Sequence, residues 1–204
     1  KKGLAIRNGG VVSQVLFNLT HQPLTPIISY GTADLLLGVD VLEAARLLQP
    51  AHRFRVIGKD RTTAVINTDK IATIGGLMGR EDYDPDQLVE LIRTHTRSEE
   101  FLARNISRIC ESYLGSKLYA NVMMMGYAFQ QGVIPVSMDS IARAIKGSIR
   151  VDFEKNLFAF NMGRKLVVAP ELFQGPPSRD TWRDMLEDRV RWTTRRFGKN
   201  RKLG

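Results

Sequence analysis

Cysteine is nearly absent from this 204-residue chain, which contains only Cys110. A single cysteine cannot form a disulfide within the chain, and it cannot supply the roughly four thiolates that an iron–sulfur cluster takes. The three histidines, His21, His52 and His95, lie far apart, without cysteine or glutamate at metal-ligand spacing. The composition therefore predicts no metal or iron–sulfur centre held by this chain alone. Cys110 falls on the apolar side of a predicted helix, where an inert core thiol is expected.

Long apolar runs are absent as well. No apolar stretch approaches the roughly 18 to 20 residues of a membrane-spanning helix, and the start of the chain lacks a signal-peptide pattern. With 43% hydrophobic and 25% charged residues, the composition is typical of one globular α/β domain with or without a helical appendage. We therefore expect a cytoplasmic protein that does not enter a membrane.

Complete nucleotide-binding and nucleophile motifs are also missing. The pair Gly9-Gly10 and the glycine-rich residues 75–79 could approach a phosphate, but neither completes a dinucleotide fingerprint or a P-loop. For residues 75–79, a flexible loop is the favoured interpretation. No G-x-S-x-G elbow occurs, and the methionines 123–125 are more typical of core packing than of a ligand site. Local motifs therefore assign no activity.

Positive charge is concentrated near one end of the chain. Residues 179–204 contain nine Lys/Arg and four Asp/Glu, so they carry +5 of the net +9. Trp192 and Phe197 lie among these basic residues, and the pattern suits either a solvated helix face or a surface for an anionic partner. A nucleic-acid-binding module is one alternative; it predicts steeply salt-dependent affinity for DNA or RNA, and we expect no such partner.

Hydrophobic patterning predicts an α/β first half. Residues 11–19, 33–40 and 62–67 are rich in apolar and β-branched side chains and are predicted as strands. Asp40, with Glu43 three residues later, is predicted to form a helix N-cap with its reciprocal partner. Strand, helix and strand at this spacing predict a βαβ unit, whose sheet is parallel.

The second half of the chain is predicted to be helical. Asp84-Pro85 predicts one helix start, and Ser98 predicts the start of another that ends at Gly115. Further helices are predicted at residues 116–131, after Ser137, and at residues 152–162, where the helix is predicted to end near Gly163. A last helix is predicted at residues 179–197, beyond a linker at 175–178.

Blocks of sequence occur in the order and spacing of one known enzyme family. Residues 3–15 read GLAIRNGGVVSQV, residues 31–40 read GTADLLLGVD, residues 121–137 read NVMMMGYAFQQGVIPVS, and residues 156–164 read NLFAFNMGR. These blocks resemble the gamma subunits or domains of 2-oxoacid:ferredoxin oxidoreductases, and they are most similar to the indolepyruvate branch. Ile6 replaces the family's glutamine and Gln14 its histidine.

The resemblance implies a Rossmann-like parallel core over residues 1–174, followed by a linker and basic helix at 175–204. The family's usual first strand, glycine-rich loop and helix have no counterpart in this sequence. A phosphate-binding role of that loop is therefore not carried over.

The resemblance also implies an enzyme that decarboxylates a 2-oxoacid oxidatively, passes electrons to ferredoxin and releases an acyl-CoA. Thiamine diphosphate, Mg²⁺ and iron–sulfur clusters are implied in alpha and beta partner subunits or domains, and this chain is implied to hold none of them. Its implied work is to pack on the thiamine-binding domains and to help enclose the coenzyme A side of the site. A scaffold or regulatory protein that kept the fold without catalysis is the other alternative.

The candidate coenzyme A-facing loop consists of Arg7, Asn8, Gly9, Gly10 and Ser13. A glycine pair permits close backbone approach, and a guanidinium with short polar side chains suits a phosphate or carboxylate. A tight strand entry with a solvated Arg7 explains the same residues equally well.

Three polar residues in the later blocks, Asn121, Gln130 and Arg164, are interpreted as structural. Polar groups within packed helices normally find hydrogen-bond partners, so these side chains are predicted to tie helices together.

Overall fold

The structure is a computed structural model, and it describes residues 11–17, 27–49, 52, 55–79, 82–148 and 152–174. The chain divides into two units, of which the first ends at Pro170 and the second begins at Glu171. In the second unit only residues 171–174 are described, and residues 171–173 belong to a short 3-10 turn, Pro170–Phe173. The predicted linker and basic helix at 175–204 lie outside the described residues.

A parallel sheet forms the centre of the first unit. Among the residues that the structure describes, three strands form it in the order β1-β2-β3, and Leu36 lies opposite Ala64, while Ile66 lies opposite Ala103. Every residue of β2 is buried, as expected for a central parallel strand that is covered on both faces. The predicted α/β class with a parallel core is confirmed. The strands are β1 Leu35–Gly38, β2 Thr63–Asn67 and β3 Leu102–Arg104.

Seven α-helices accompany the sheet within the described ranges. Two of their starts follow the predicted capping signals: the Asp40 carboxylate accepts from the amide of Leu42 at 2.9 Å, and the Asp84 carboxylate accepts from that of Asp86 at 3.0 Å. The helices are α1 Val41–Arg46, α2 Ile74–Leu77, α3 Pro85–Thr94, α4 Ile106–Leu114, α5 Ala120–Gln130, α6 Met138–Ser148 and α7 Phe153–Val168.

One detail of the predicted N-cap at Asp40 is wrong. Glu43 does not complete a reciprocal capping box with Asp40, because its carboxylate pairs with Arg46 one turn further along α1. A partner of opposite charge at i+3 competes successfully with the backbone amide.

Helices cover both faces of the sheet. On one face, Leu36, Ala64 and Ile66 pack with residues of α1 and with Ile92 of α3. On the other face α5 contacts β1 and β2, and α4 and α7 pack against α5. A parallel sheet needs this double cover, because its strands are apolar on both sides.

Helices α5 and α7 cross at two glycines. A Cβ added at Gly126 would lie 2.0 Å from the carbonyl oxygen of Phe160, and one added at Gly163 would lie 1.9 Å from that of Met123. Only residues without a side chain allow this backbone approach. The prediction that the last described helix ends near Gly163 is therefore wrong, because this glycine is a contact point within α7.

Two predicted elements differ from the structure. Residues 11–17 contain no strand, while 18–19 lie outside the described residues. Ser98 does not open a long helix: Ser98–Glu100 is a 3-10 turn, β3 follows, and Asn105 caps α4. Pairing of Leu102 and Ala103 with β2 overrides the helical spacing of the apolar residues here.

No helix in the described ranges has both the length and the apolar character needed to cross a bilayer.

Candidate functional site

The candidate coenzyme A-facing loop lies mostly outside the described residues. Arg7, Asn8, Gly9 and Gly10 belong to that part, and Ser13 is exposed in a segment without regular structure. Next to Ser13, the Gln14 side-chain oxygen accepts a hydrogen bond from the amide of Ile28 at 2.9 Å. This contact anchors the segment to residues ahead of β1.

The carboxyl ends of the parallel strands meet at one edge of the sheet, where open α/β sheets bind their ligands. Buried Asn67, the last residue of β2, fixes this edge. Its amide nitrogen donates to the Val39 carbonyl at 3.1 Å and to the Ser107 hydroxyl at 2.9 Å, and its oxygen accepts from the Ser107 amide at 3.2 Å. One side chain thereby joins the chain after β1 to the start of α4.

A second group at this edge surrounds Asp69. Its carboxylate accepts from the Lys117 ammonium at 3.1 Å and from the Asn105 side-chain amide at 3.3 Å. Asn105 also caps α4, because its oxygen accepts from the amide of Arg108 at 2.8 Å. The segments after β2 and β3 are thus held together.

Asp82 closes the loop that leaves β2. Its carboxylate accepts from the Thr73 hydroxyl at 2.9 Å and from the Tyr83 amide at 3.0 Å, and it lies 3.6 Å from the Lys70 ammonium. Burial on its own would raise the pKa of Asp82, but the hydrogen bonds and the charge of Lys70 outweigh it, so the pKa is lowered. The carboxylate therefore stays ionised at neutral pH.

Tyr83 binds the backbone at the beginning of the same loop. Its hydroxyl donates to the Ile71 carbonyl at 3.1 Å and accepts from the Ile71 amide at 3.2 Å. Burial raises the pKa of Tyr83, and the negative charges of Asp40, Asp82 and Asp69 raise it further. The hydroxyl stays protonated and acts as a structural hydrogen-bonding group.

Cys110 is a buried thiol, as its apolar helix position predicts. Its sulfur lies 3.6 Å from that of Met123, between α4 and α5. Burial raises the pKa of the Cys110 thiol to about 11, which leaves almost no thiolate at neutral pH. The group is unsuited to nucleophilic chemistry.

The three polar residues of the later blocks separate into two cases. The Arg164 guanidinium of α7 donates to the Gln130 side-chain oxygen of α5 at 3.0 Å and to the Asn161 oxygen at 3.2 Å. Asn121 is exposed on α5, and its side chain makes no hydrogen bond with any other described residue. Gln130 and Arg164 are thus brought together, and Asn121 is not.

Two carboxylates at the carboxyl edge, those of Asp69 and Asp82, are each paired with the ammonium group of a lysine. Within the ranges that the structure describes, no group of three or more His, Cys, Asp or Glu side chains could hold a metal ion. The carboxylates of Asp69 and Asp82 instead bind ammonium groups and polar hydrogens of the protein. This arrangement can order the edge and present it to a ligand or partner.

Sequence reasoning missed the residues that organise this edge, namely Asn67, Asp69, Asp82 and Tyr83. A signal existed for two of them, because Asn67 and Asp69 follow a strong apolar strand, where polar residues of parallel sheets collect. Asp82 and Tyr83 act through contacts with residues 70–73 that no local pattern specifies.

A model of the pyruvate ferredoxin/flavodoxin oxidoreductase family matches residues 1–166, most of the chain. No curated protein and no solved structure matches the chain. The family match agrees with the resemblance of the sequence blocks to 2-oxoacid:ferredoxin oxidoreductases. The chain belongs to the pyruvate ferredoxin/flavodoxin oxidoreductase family.

Proposed function

We propose that this chain is the gamma-type subunit or domain of an indolepyruvate-type 2-oxoacid:ferredoxin oxidoreductase. In this proposal it carries no redox or thiamine centre of its own. The observation that carries the proposal is the family match over residues 1–166. The indolepyruvate branch is supported by the blocks at residues 3–15, 31–40, 121–137 and 156–164.

In the proposed enzyme, an aryl-pyruvate or related 2-oxoacid is decarboxylated oxidatively to an acyl-CoA, and the electrons pass to ferredoxin. Thiamine diphosphate with Mg²⁺ and iron–sulfur clusters on the alpha and beta subunits or domains would supply the decarboxylation and electron transfer. This chain would pack on the thiamine-binding part and exclude water from the coenzyme A side of the site.

The loop of Arg7, Asn8, Gly9, Gly10 and Ser13 is the part of this chain that we propose to face coenzyme A. The exposed side chain of Ser13 fits a group that is accessible to a ligand. A guanidinium binds phosphate oxygens in a bidentate manner, which a neutral side chain of similar length cannot do.

The proposal is tested by purifying the native complex through this chain from its own source. We expect larger partner chains to co-purify with thiamine diphosphate, iron and sulfide. The complex should reduce ferredoxin in a coenzyme A-dependent reaction, with a higher kcat/KM for indolepyruvate than for pyruvate. In the active complex, Arg7→Gln should raise the KM for coenzyme A more than that for the oxoacid, whereas Arg61→Gln, at an exposed ion pair with Asp34, should change neither.

The outcomes separate the parts of the proposal. A preference for pyruvate would overturn the indolepyruvate assignment while leaving the family membership intact. Recovery of the chain without any thiamine-bearing partner would favour the scaffold or regulatory alternative. Equal effects of Arg7→Gln and Arg61→Gln on the KM for coenzyme A would reject the assignment of the loop.

A further inference from the structure

A long stretch near the start of the chain carries no charged side chain. Residues 8–33 contain no Lys, Arg, Asp or Glu, in a protein in which these residues make up 25% of the sequence. Within this stretch the structure describes residues 11–17, which read VVSQVLF. Their β-branched and aromatic side chains favour a strand, and no charge along the row opposes pairing with another strand. Residues 11–17 are called the uncharged segment below.

Side-chain exposure alternates along the uncharged segment. The side chains of Val11, Val15 and Phe17 are 85%, 68% and 50% exposed. Those of Val12 and Leu16, which alternate with them, are each 37% exposed. A period of two residues is typical of an extended chain that turns one side to the protein. The outward side therefore presents three apolar side chains together, and such a group marks a contact surface.

The backbone of the uncharged segment is unpaired within the described part of the chain. No amide or carbonyl group of residues 11–17 forms a backbone hydrogen bond with another described residue. The segment is anchored by the Gln14 side chain, whose oxygen accepts from the amide of Ile28 at 2.9 Å. A row of unpaired amide and carbonyl groups on an apolar extended chain is a template for pairing with another strand.

The order of its side chains makes the uncharged segment complementary to a second copy of itself. In an antiparallel pair centred on Gln14, Val11 lies opposite Phe17, and Val12 lies opposite Leu16. Each of these apolar cross-strand pairs occurs twice, because such a pair has two-fold symmetry. A second copy therefore meets every apolar residue of these pairs with another apolar residue, and it brings no charge to the row.

We propose that residues 11–17 of two copies of this chain pair as antiparallel strands, which makes the uncharged segment the interface of a dimer. Odd-numbered residues lie opposite odd-numbered ones in this register, so the outward sides of both copies share one face of the two-stranded ribbon. The pairing is independent of the proposed function, because it follows from the charge, exposure and backbone of the segment.

Disulfide cross-linking tests the pairing and its register. In the proposed dimer Ser13 lies opposite Val15 of the other copy, at a Cα separation of about 4.5 to 5.5 Å, which a disulfide spans. Mixing the single variants Ser13→Cys and Val15→Cys under mild oxidation should give a cross-linked dimer, whereas neither variant should cross-link alone. Ser13→Cys mixed with Val11→Cys is the matched control, since positions 11 and 15 lie about 13 Å apart along a strand. The native Cys110 is buried and does not compete.

Sedimentation measures the dimer directly. The wild-type chain should dimerise in a concentration-dependent equilibrium. Val15→Lys should raise the dimer dissociation constant at least about tenfold, because a lysine replaces an apolar side chain in the paired row. Leu118→Lys, at another exposed apolar position, should leave the dissociation constant unchanged. Both variants should keep the circular dichroism spectrum of the folded chain, because both side chains are exposed in the single copy.

Each result supports or overturns the pairing. A wild-type chain that sediments as a monomer at every concentration, or a dimer that Val15→Lys leaves intact, would overturn it. Cross-linking of Ser13→Cys with itself would overturn the antiparallel register. If the wild-type chain is a monomer and Val15→Lys instead prevents capture of a thiamine-bearing partner, the segment binds that partner and a second copy is the wrong occupant.

Discussion

Asn67 and Asp82 show how single polar side chains hold the backbone at the carboxyl edge. Asn67 is buried and uses both its amide nitrogen and its oxygen, so its burial is compensated by hydrogen bonds. Asp82 combines a hydroxyl, a backbone amide and an ammonium around one carboxylate. At the residue scale, the backbone conformation at this edge depends on hydrogen bonds and ion pairs between specific polar groups.

The lowered pKa of Asp82 predicts a pH-dependent contribution to stability. A carboxylate whose folded pKa lies below its unfolded value, about 3.9, stabilises the folded state above that value. The contribution is lost as the pH falls through the folded pKa. Asp82→Asn should therefore unfold at lower urea concentration than the wild type at pH 7, and the difference should shrink as the pH falls below the unfolded value of about 3.9.

Urea unfolding followed by circular dichroism across this range provides the measurement. Asp60→Asn, at an exposed turn position, is the matched control, and its stability should stay within about 0.5 kcal/mol of the wild type. A difference between Asp82→Asn and wild type that is constant with pH would contradict the charge-based explanation.

Secondary-structure elements in this chain were predictable where a capping residue or a glycine in the local sequence marks their boundary. The caps at Asp40 and Asp84 and the left-handed Gly115, at φ 75°, mark helix ends by backbone chemistry alone. β3 was not predicted, because three residues are too few to show the alternation of apolar and polar side chains that indicates a strand. Its pairing with β2 supplies the stabilisation, and this pairing depends on residues about 37 positions away in the chain.

The crossing of α5 and α7 predicts that alanine is tolerated poorly at its two glycines. Gly126→Ala and Gly163→Ala place a methyl group against a backbone carbonyl, so the helices must separate. Overpacking of this kind costs about 1 to 3 kcal/mol, and a backbone clash near 2 Å places both variants at the upper end. Thermal or urea unfolding measures the loss.

Gly147→Ala on α6 is the matched control for that prediction. A Cβ there meets nothing within 4 Å, so the change should stabilise the protein by about 0.5 to 1 kcal/mol through helix propensity. Equal stability changes at positions 126, 163 and 147 would show that propensity, and not close helix packing, governs all three.

At the scale of the whole first unit, the sheet is enclosed between α1 and α3 on one face and α5 on the other. Cys110 is buried between α4 and α5, where its sulfur contacts that of Met123. The reactivity of this thiol therefore shows whether the two helices separate. Local fraying at the surface does not expose such a position.

We expect Cys110 to react with a thiol reagent at pH 8 at least about 100-fold more slowly than an exposed cysteine, because the thiol is buried and its raised pKa disfavours the thiolate. In urea above the unfolding midpoint the reaction should become fast. Ser148→Cys, at an exposed position of α6, adds a fast-reacting reference within the same chain. Rapid labelling of Cys110 without denaturant would show that α4 and α5 do not bury it.

The sequence by itself determined the α/β class, the βαβ order, most helix starts and the membership of an oxidoreductase family. These features rest on hydrophobic period, capping residues and motif blocks, which are all local along the chain. Tertiary structure alone decided that residues 102–104 pair with β2, that Gly163 lies within a helix crossing, and that Asp82 and Tyr83 hold the chain at Ile71 and Thr73. Each of these depends on a contact between distant residues, whose free energy outweighs the local preference of the segment.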